Sequence, residues 1–129
     1  ALAREAGARR AVRLNVSGAF HSPLMAAAEA GLAAHLDHVP FAPPRVPVVS
    51  NVTAEPVSDA PTARRLLLRQ LTAPVRWAAS VRRMRAAGVT RFLELGPGSV
   101  LTGLVRRIAP EAEARAVGTA AEVEALLAA

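Results

Sequence analysis

The chain has 129 residues, 52% hydrophobic and 20% charged, which is a globular composition and at most one domain's worth, either a compact unit or a piece of something larger. It has no cysteine, so disulfides, thiolate nucleophiles and cysteine-ligated metals are excluded together, and no apolar run approaches the ~20 residues that would span a bilayer. The net charge of +6 suits an acidic partner or a polyanion, but all sixteen basic residues are arginine in an alanine-rich chain, and a coding bias accounts for that without any partner.

Residues 11–17 alternate apolar and polar, which predicts a half-buried strand. From Pro23 the period changes, with Leu24, Ala28, Leu32 and Leu36 at steps of four, and a helix is expected to end before Pro40. Between Pro40 and Pro61 prolines cluster around a β-branched run at 46–52 that reads as a short strand. Helices are expected over 62–71 and 75–87, broken at Pro74 and closed by Gly88. A strand at 91–95, a Gly96-Pro97-Gly98 turn, a helix from Ser99 to Ile108 with Ser99 as its cap, a strand at 114–118, and a terminal helix capped by Thr119 complete the chain. Strands that alternate with helices predict an α/β fold with a parallel, layered sheet.

Three histidines are the candidates for chemistry. His35 and His38 flank Asp37 at a spacing that could hold a metal, but on the last turn of a helix they read as solvated polar residues, and no metal is expected. His21 differs, because Ser22 can cap the following helix and Pro23 fits its first turn, which puts the imidazole at a strand-to-helix junction. The positive end of a helix favours the neutral ring that a general base needs, while a histidine bridging backbone groups at a turn is the plainer alternative. No Gly-x-Ser-x-Gly elbow exists to supply a nucleophile; Ser99 reads as a cap, and Gly96-Pro97-Gly98 departs from the spacing of a phosphate-binding loop. Arg64, Arg65, Arg69, Arg82, Arg83 and Arg85 fall on two neighbouring helices, where a solvated face is the default and docking of an acidic protein the functional alternative.

Four segments, "LNVSGAFHSPLM", "VPVVSNVTAEPV", "LLRQLTAPVRWAASVRRMRAAGV" and "RFLELGPGSVLTGLVRRI", resemble in order and spacing the C-terminal part of malonyl-CoA:acyl carrier protein transacylases, from about residue 4 to the end. The resemblance implies a hydrolase-like layered α/β acyltransferase subdomain over about 21–129, preceded over about 1–20 by the last strand of a small ferredoxin-like subdomain. It also implies ping-pong acyl transfer in fatty acid synthesis: a serine takes malonyl from coenzyme A as an ester and passes it to the phosphopantetheine thiol of acyl carrier protein.

Within that family His21 matches the catalytic histidine, acting as general base and then acid, and the main-chain carbonyl of Gln70 matches the group that orients it. Phe20 in "AFH" resembles malonyl-selective members, although Gly18 stands where synthase domains often carry histidine. The serine elbow, the oxyanion-hole segment and the arginine that pairs with the malonyl carboxylate have no counterpart here, so a fragment, inactive by itself, is expected. The implied partners are malonyl-CoA and acyl carrier protein, with no nucleic acid, no membrane and no cofactor beyond the thioester substrate, in a cytoplasmic enzyme that is monomeric when intact. The alternatives are an acyltransferase domain cut from a polyketide synthase and a non-catalytic basic module that binds an acidic partner.

Overall fold

A computed structural model describes residues 2–12 and 16–128. It is a mixed α/β arrangement in which the expected helices and strands recur in chain order, with changes at several ends. After a short helix α1 (Leu2–Glu5), a 3₁₀ segment (Pro23–Ala28) runs into α2 (Glu29–Asp37). The sequence stripe at steps of four therefore becomes α-helical only from Glu29, and Leu32 and Leu36 are its half-buried members. The centre of the strand expected at 11–17, residues 13–15, lies outside the described residues, and the flanking positions 11, 12, 16 and 17 carry no strand.

The β-branched run at 46–52 contributes only Val48–Val49 (β1), which pairs antiparallel with Pro56–Val57 (β2). The expected lone strand is thus half of a hairpin. Its turn is closed by Ser50 N–H donating to the Glu55 carbonyl at 3.0 Å and Ala54 N–H to the Ser50 carbonyl at 2.8 Å. Helix α3 (Ala60–Arg69) starts two residues earlier than expected, because the Asp59 carboxylate accepts from Thr62 N–H at 2.7 Å and Pro61 suits the first turn. Helix α4 (Trp77–Ala86) ends at Gly88, which adopts φ +91° as a helix-terminating glycine should.

Strands β3 (Arg91–Leu95) and β4 (Glu113–Val117) pair in parallel from Arg91 opposite Glu113 to Leu95 opposite Val117, joined through α5 (Val100–Ile108). Helix α5 packs on both strands and on α4, and its contacts enclose one core of Val81, Val105, Ala109, Ala112 and Ala114 flanked by Trp77, Met84, Phe92 and Ile108. A smaller core of Val52, Val57 and Leu66 joins the hairpin to α3. The terminal α6 (Ala120–Leu127) opens with a capping box in which Thr119 and Glu122 satisfy each other's backbone amides.

Ser99 occupies the expected cap position of α5 but its side chain makes no capping bond. Glu94 does this instead from the neighbouring strand, accepting from Leu101 N–H at 3.1 Å and Thr102 N–H at 2.7 Å. A carboxylate beside free amides at a helix start gains both hydrogen bonds and the favourable end of the helix dipole. The Thr102 hydroxyl beside Glu94 and these two amides hold its carboxyl below the ordinary range. Those amides are thereby committed to Glu94, which explains in physical terms why Gly96-Pro97-Gly98 is a structural turn and no phosphate cradle. The turn passes close to Gly118, where a Cβ would stand 2.7 Å from the Gly96 carbonyl oxygen.

Candidate active site

His21 lies between residues 16–20, which carry no helix or strand, and the 3₁₀ segment, exposed, and with a backbone φ of +58°. A side-chain-bearing residue pays a steric penalty in that left-handed region, so something must hold it there. Ser22 does part of this: its hydroxyl donates to the Ala19 carbonyl at 2.7 Å and accepts from Leu24 N–H at 3.3 Å, closing the turn on both sides of the histidine. The imidazole supplies the rest, with Nδ1 lying 2.8 Å from the main-chain carbonyl oxygen of Gln70 across 49 residues of chain.

Gln70 terminates α3, and its carbonyl is among those that a helix end leaves without an intrahelical partner. An amide carbonyl is an acceptor only, so Nδ1 must carry a proton, and whenever the ring is neutral Nε2 is the nitrogen able to accept one. No carboxylate is needed to fix that tautomer. The surrounding segments are tied together: the Thr72 hydroxyl donates to the Glu29 carboxylate at 3.0 Å, linking the loop after Gln70 to the helix after His21. The Asn51 carboxamide donates to Gln70 Oε1 at 3.3 Å.

His21, Phe20, Gln70 and the apolar side chains Leu32, Leu36, Leu67 and Leu71 line a cleft of about 200 Å³. Its walls are apolar and its polar groups few, the make-up of a small-molecule site. Phe20 is 62% exposed, at the mouth of that cleft, and its ring approaches Gly18 so closely that a Cβ there would stand 3.0 Å from Cε2. A second cleft of about 270 Å³ lies between the hairpin and α3, and shares Leu67 and Gln70 with the first.

The other candidates from the sequence lie elsewhere. His35 Nδ1 is 2.9 Å from the Gly31 carbonyl oxygen of its own helix, and Asp37 pairs with Arg64. Of the six arginines on α3 and α4, Arg83 donates to Glu55 at 2.8 Å and Arg85 to Glu111 at 2.8 Å, so with Arg64 three are spent within the chain. Sequence reasoning missed Asn51, Glu29 and Thr72, whose contacts cross 19 and 43 residues and leave no local signature.

The structure thus places His21 Nδ1 on the backbone carbonyl of Gln70 beside an apolar cleft. Comparison with known proteins identifies what the chain is similar to. The malonyl CoA-acyl carrier protein transacylase of Salmonella typhimurium is 43% identical over 127 residues, which are 98% of this chain and 41% of that protein. The crystal structure of an acyl carrier protein S-malonyltransferase from Vibrio cholerae superposes with a TM-score of 0.88 at 42% identity, over 97% of this chain and 41% of that one. A malonyl-transacylase solved in complex with a type II polyketide synthase acyl carrier protein matches with a TM-score of 0.87 at 42% identity, over 98% of this chain and 41% of its own. No protein-family model matches the chain. These 129 residues are homologous to a segment of the malonyl CoA-acyl carrier protein transacylases, and they span about two fifths of the length of those relatives.

Proposed function

We propose that the full-length protein transfers malonyl from coenzyme A to the phosphopantetheine thiol of acyl carrier protein, and that His21 is its general base and acid. In the first half-reaction Nε2 of His21 takes the proton from a serine hydroxyl, supplied by a part of the protein outside these residues, as that oxygen attacks the malonyl thioester. The imidazolium then returns the proton to the departing coenzyme A sulfur, and malonyl is left as an ester on the serine. In the second half-reaction the same nitrogen takes the proton of the carrier thiol, the thiolate attacks the ester, and the proton goes back to the serine. Both halves need an imidazole that cycles between neutral and charged while its other nitrogen stays hydrogen-bonded, and the carbonyl of Gln70 accepts from Nδ1–H in either state.

The observation that carries this reading is the 2.8 Å contact between His21 Nδ1 and Gln70 O in a chain whose relatives are named for this reaction. Phe20 supports malonyl as the acyl group, because a bulky ring beside the base crowds a branched α-carbon. One such contact discriminates a methyl group by about 1–3 kcal/mol. The matched complex with a polyketide carrier protein favours a second reading of the pathway, in which the acceptor belongs to polyketide synthesis.

In the full-length protein, His21→Ala should lower malonyl transfer roughly 10²–10⁴-fold, measured by radiolabelled malonyl appearing on the carrier. Undiminished turnover would refute the role. Offering carrier proteins of fatty acid and polyketide synthesis side by side separates the two pathways by kcat/KM.

A further inference from the structure

Gln70 does its proposed work through a main-chain atom, and a main-chain atom is only as well placed as the chain around it. That chain leaves the α-helix here. The amide of Gln70 bonds back to Leu66 O at 3.0 Å, those of Leu71 and Thr72 tighten to Leu68 O at 3.2 Å and Arg69 O at 3.3 Å, and that of Ala73 returns to Arg69 O at 3.1 Å just before Pro74. Gln70 is half-buried and lines both clefts. Its carbonyl is past the last turn, where no helical bond sets its direction, and a hydrogen bond weakens steeply once its angle is lost.

Among the described residues, the hydrogen bond to the Gln70 side chain comes from Asn51, and Asn51 sits on a well-tied support. Its own carbonyl accepts from Arg76 N–H at 2.8 Å, at the start of α4. The next amide, Val52 N–H, donates to the Ser50 hydroxyl at 3.2 Å, and the Val52 side chain is 7% exposed in the smaller core. Arg76 also reaches over to donate from Nη1 to the Thr53 carbonyl at 3.0 Å, tying the same turn a second time. A half-buried carboxamide on a well-tied turn thus grips the residue that caps α3, the residue whose carbonyl faces His21.

We infer that Asn51 is a positioning residue: by holding the Gln70 side chain it aims the Gln70 carbonyl at Nδ1 of His21 and so keeps the imidazole in the tautomer with Nε2 free. This rests on the reading of His21 as the base. It assigns a function to the side chain of Gln70, for which a main-chain acceptor alone has no use, and to the hairpin turn between β1 and β2, which touches neither His21 nor the cleft it lines. Turning both carboxamides together exchanges donor and acceptor and keeps the bond, whereas turning one alone would face like groups, so the grip requires the pair to be set as it stands.

The test uses the full-length protein with ¹⁵N-labelled histidine, the His21 signals being assigned by their loss in His21→Ala. Nitrogen chemical shifts report which ring nitrogen carries the proton. Wild type should show His21 protonated at Nδ1 alone, while Asn51→Ala and the volume-conserving Asn51→Leu should show a mixture of tautomers. In malonyl transfer the same variants should lose roughly tenfold in kcat with KM for malonyl-CoA unchanged. The Asn51→Ala/Gln70→Ala double variant should be no worse than the poorer single one, since both remove one interaction. Gln70→Leu, made on the other side of the pair, gives the same readout should both Asn51 variants fold poorly.

An unchanged tautomer in a folded Asn51 or Gln70 variant overturns the inference, as do additive losses in the double variant. If His21→Ala abolishes transfer while the Asn51 variants match wild type, the positioning role falls and the proposed function stands. If the full-length protein transfers no malonyl yet the tautomer shifts in Asn51→Ala, the proposed function falls and the positioning role stands.

Discussion

The two ends of the described chain are built on different terms. The β3–α5–β4 unit with α4 closes over a continuous core in which Val81 is 0% and Val105 3% exposed, whereas the 3₁₀ segment and α2 that follow His21 bury no residue fully, and Leu24 is 81% exposed. Apolar burial contributes about 25 cal/mol per Å², so most of the stability these residues generate among themselves comes from the C-terminal unit. The His21 end is held by a few directed hydrogen bonds at specific atoms: His21 to Gln70, Thr72 to Glu29, Asn51 to Gln70. Stability and geometry are therefore supplied by separate parts of the chain, and a mutation should reveal which part it touches by whether it lowers the melting midpoint or the turnover.

The largest contrast comes from placing the same charge in each region. In the 129-residue chain, Val81→Asp should lower the unfolding free energy by about 3 kcal/mol or more, because an unpaired carboxylate would sit where no water reaches. Leu24→Asp, on the exposed segment, should leave the unfolding free energy from urea melts of the same chain within about 0.5 kcal/mol of wild type. Equal losses from the two substitutions would erase the distinction between the regions.

A smaller effect is expected where the turn after β3 meets the end of β4. Gly118→Ala brings a methyl group within 2.7 Å of the Gly96 carbonyl, and the resulting strain should cost about 1–3 kcal/mol in thermal melts.

The smallest effect is a matter of pH. Glu94 has its folded pKa lowered by the Thr102 side chain and by the amides of Thr102 and Leu101, so its contribution is present above the pKa it has when unfolded and is lost as pH falls through the lower folded value. Glu94→Gln should therefore be less stable than wild type near neutral pH, and the gap should narrow as melts are repeated below the ordinary carboxylate range. A gap that stays constant with pH would show that the carboxylate's charge is irrelevant to capping α5.

The C-terminal unit was the more legible in sequence because its signals are local. The alternation of Arg91 to Leu95 gives the strand with both ends right, Thr119 and Glu122 spell a capping box at the required spacing, and Gly88 marks the end of α4. Where an interaction leaps across the chain, locality fails. Ser99 has the identity and position of a cap, yet Glu94 takes that part from the strand before the turn. Pro56 and Val57 pair with β1 although a proline cluster reads as loop, which an edge position with no need of the missing amide permits. The contact between His21 and Gln70 was anticipated through resemblance to a family, since a main-chain acceptor has no side-chain signature to read. Asn51 was legible by neither route.

The left-handed backbone at His21 has a consequence for how this position can vary. A φ of +58° is one that glycine adopts freely, while histidine gives up about 1 kcal/mol to reach it. Selection for accumulation of folded protein and selection for turnover should thus pull the codon in opposite directions. If all residues are sampled at position 21 of the full-length protein and sorted twice, glycine should outrank histidine in cellular abundance, and histidine alone should survive a screen that requires the proposed malonyl transfer.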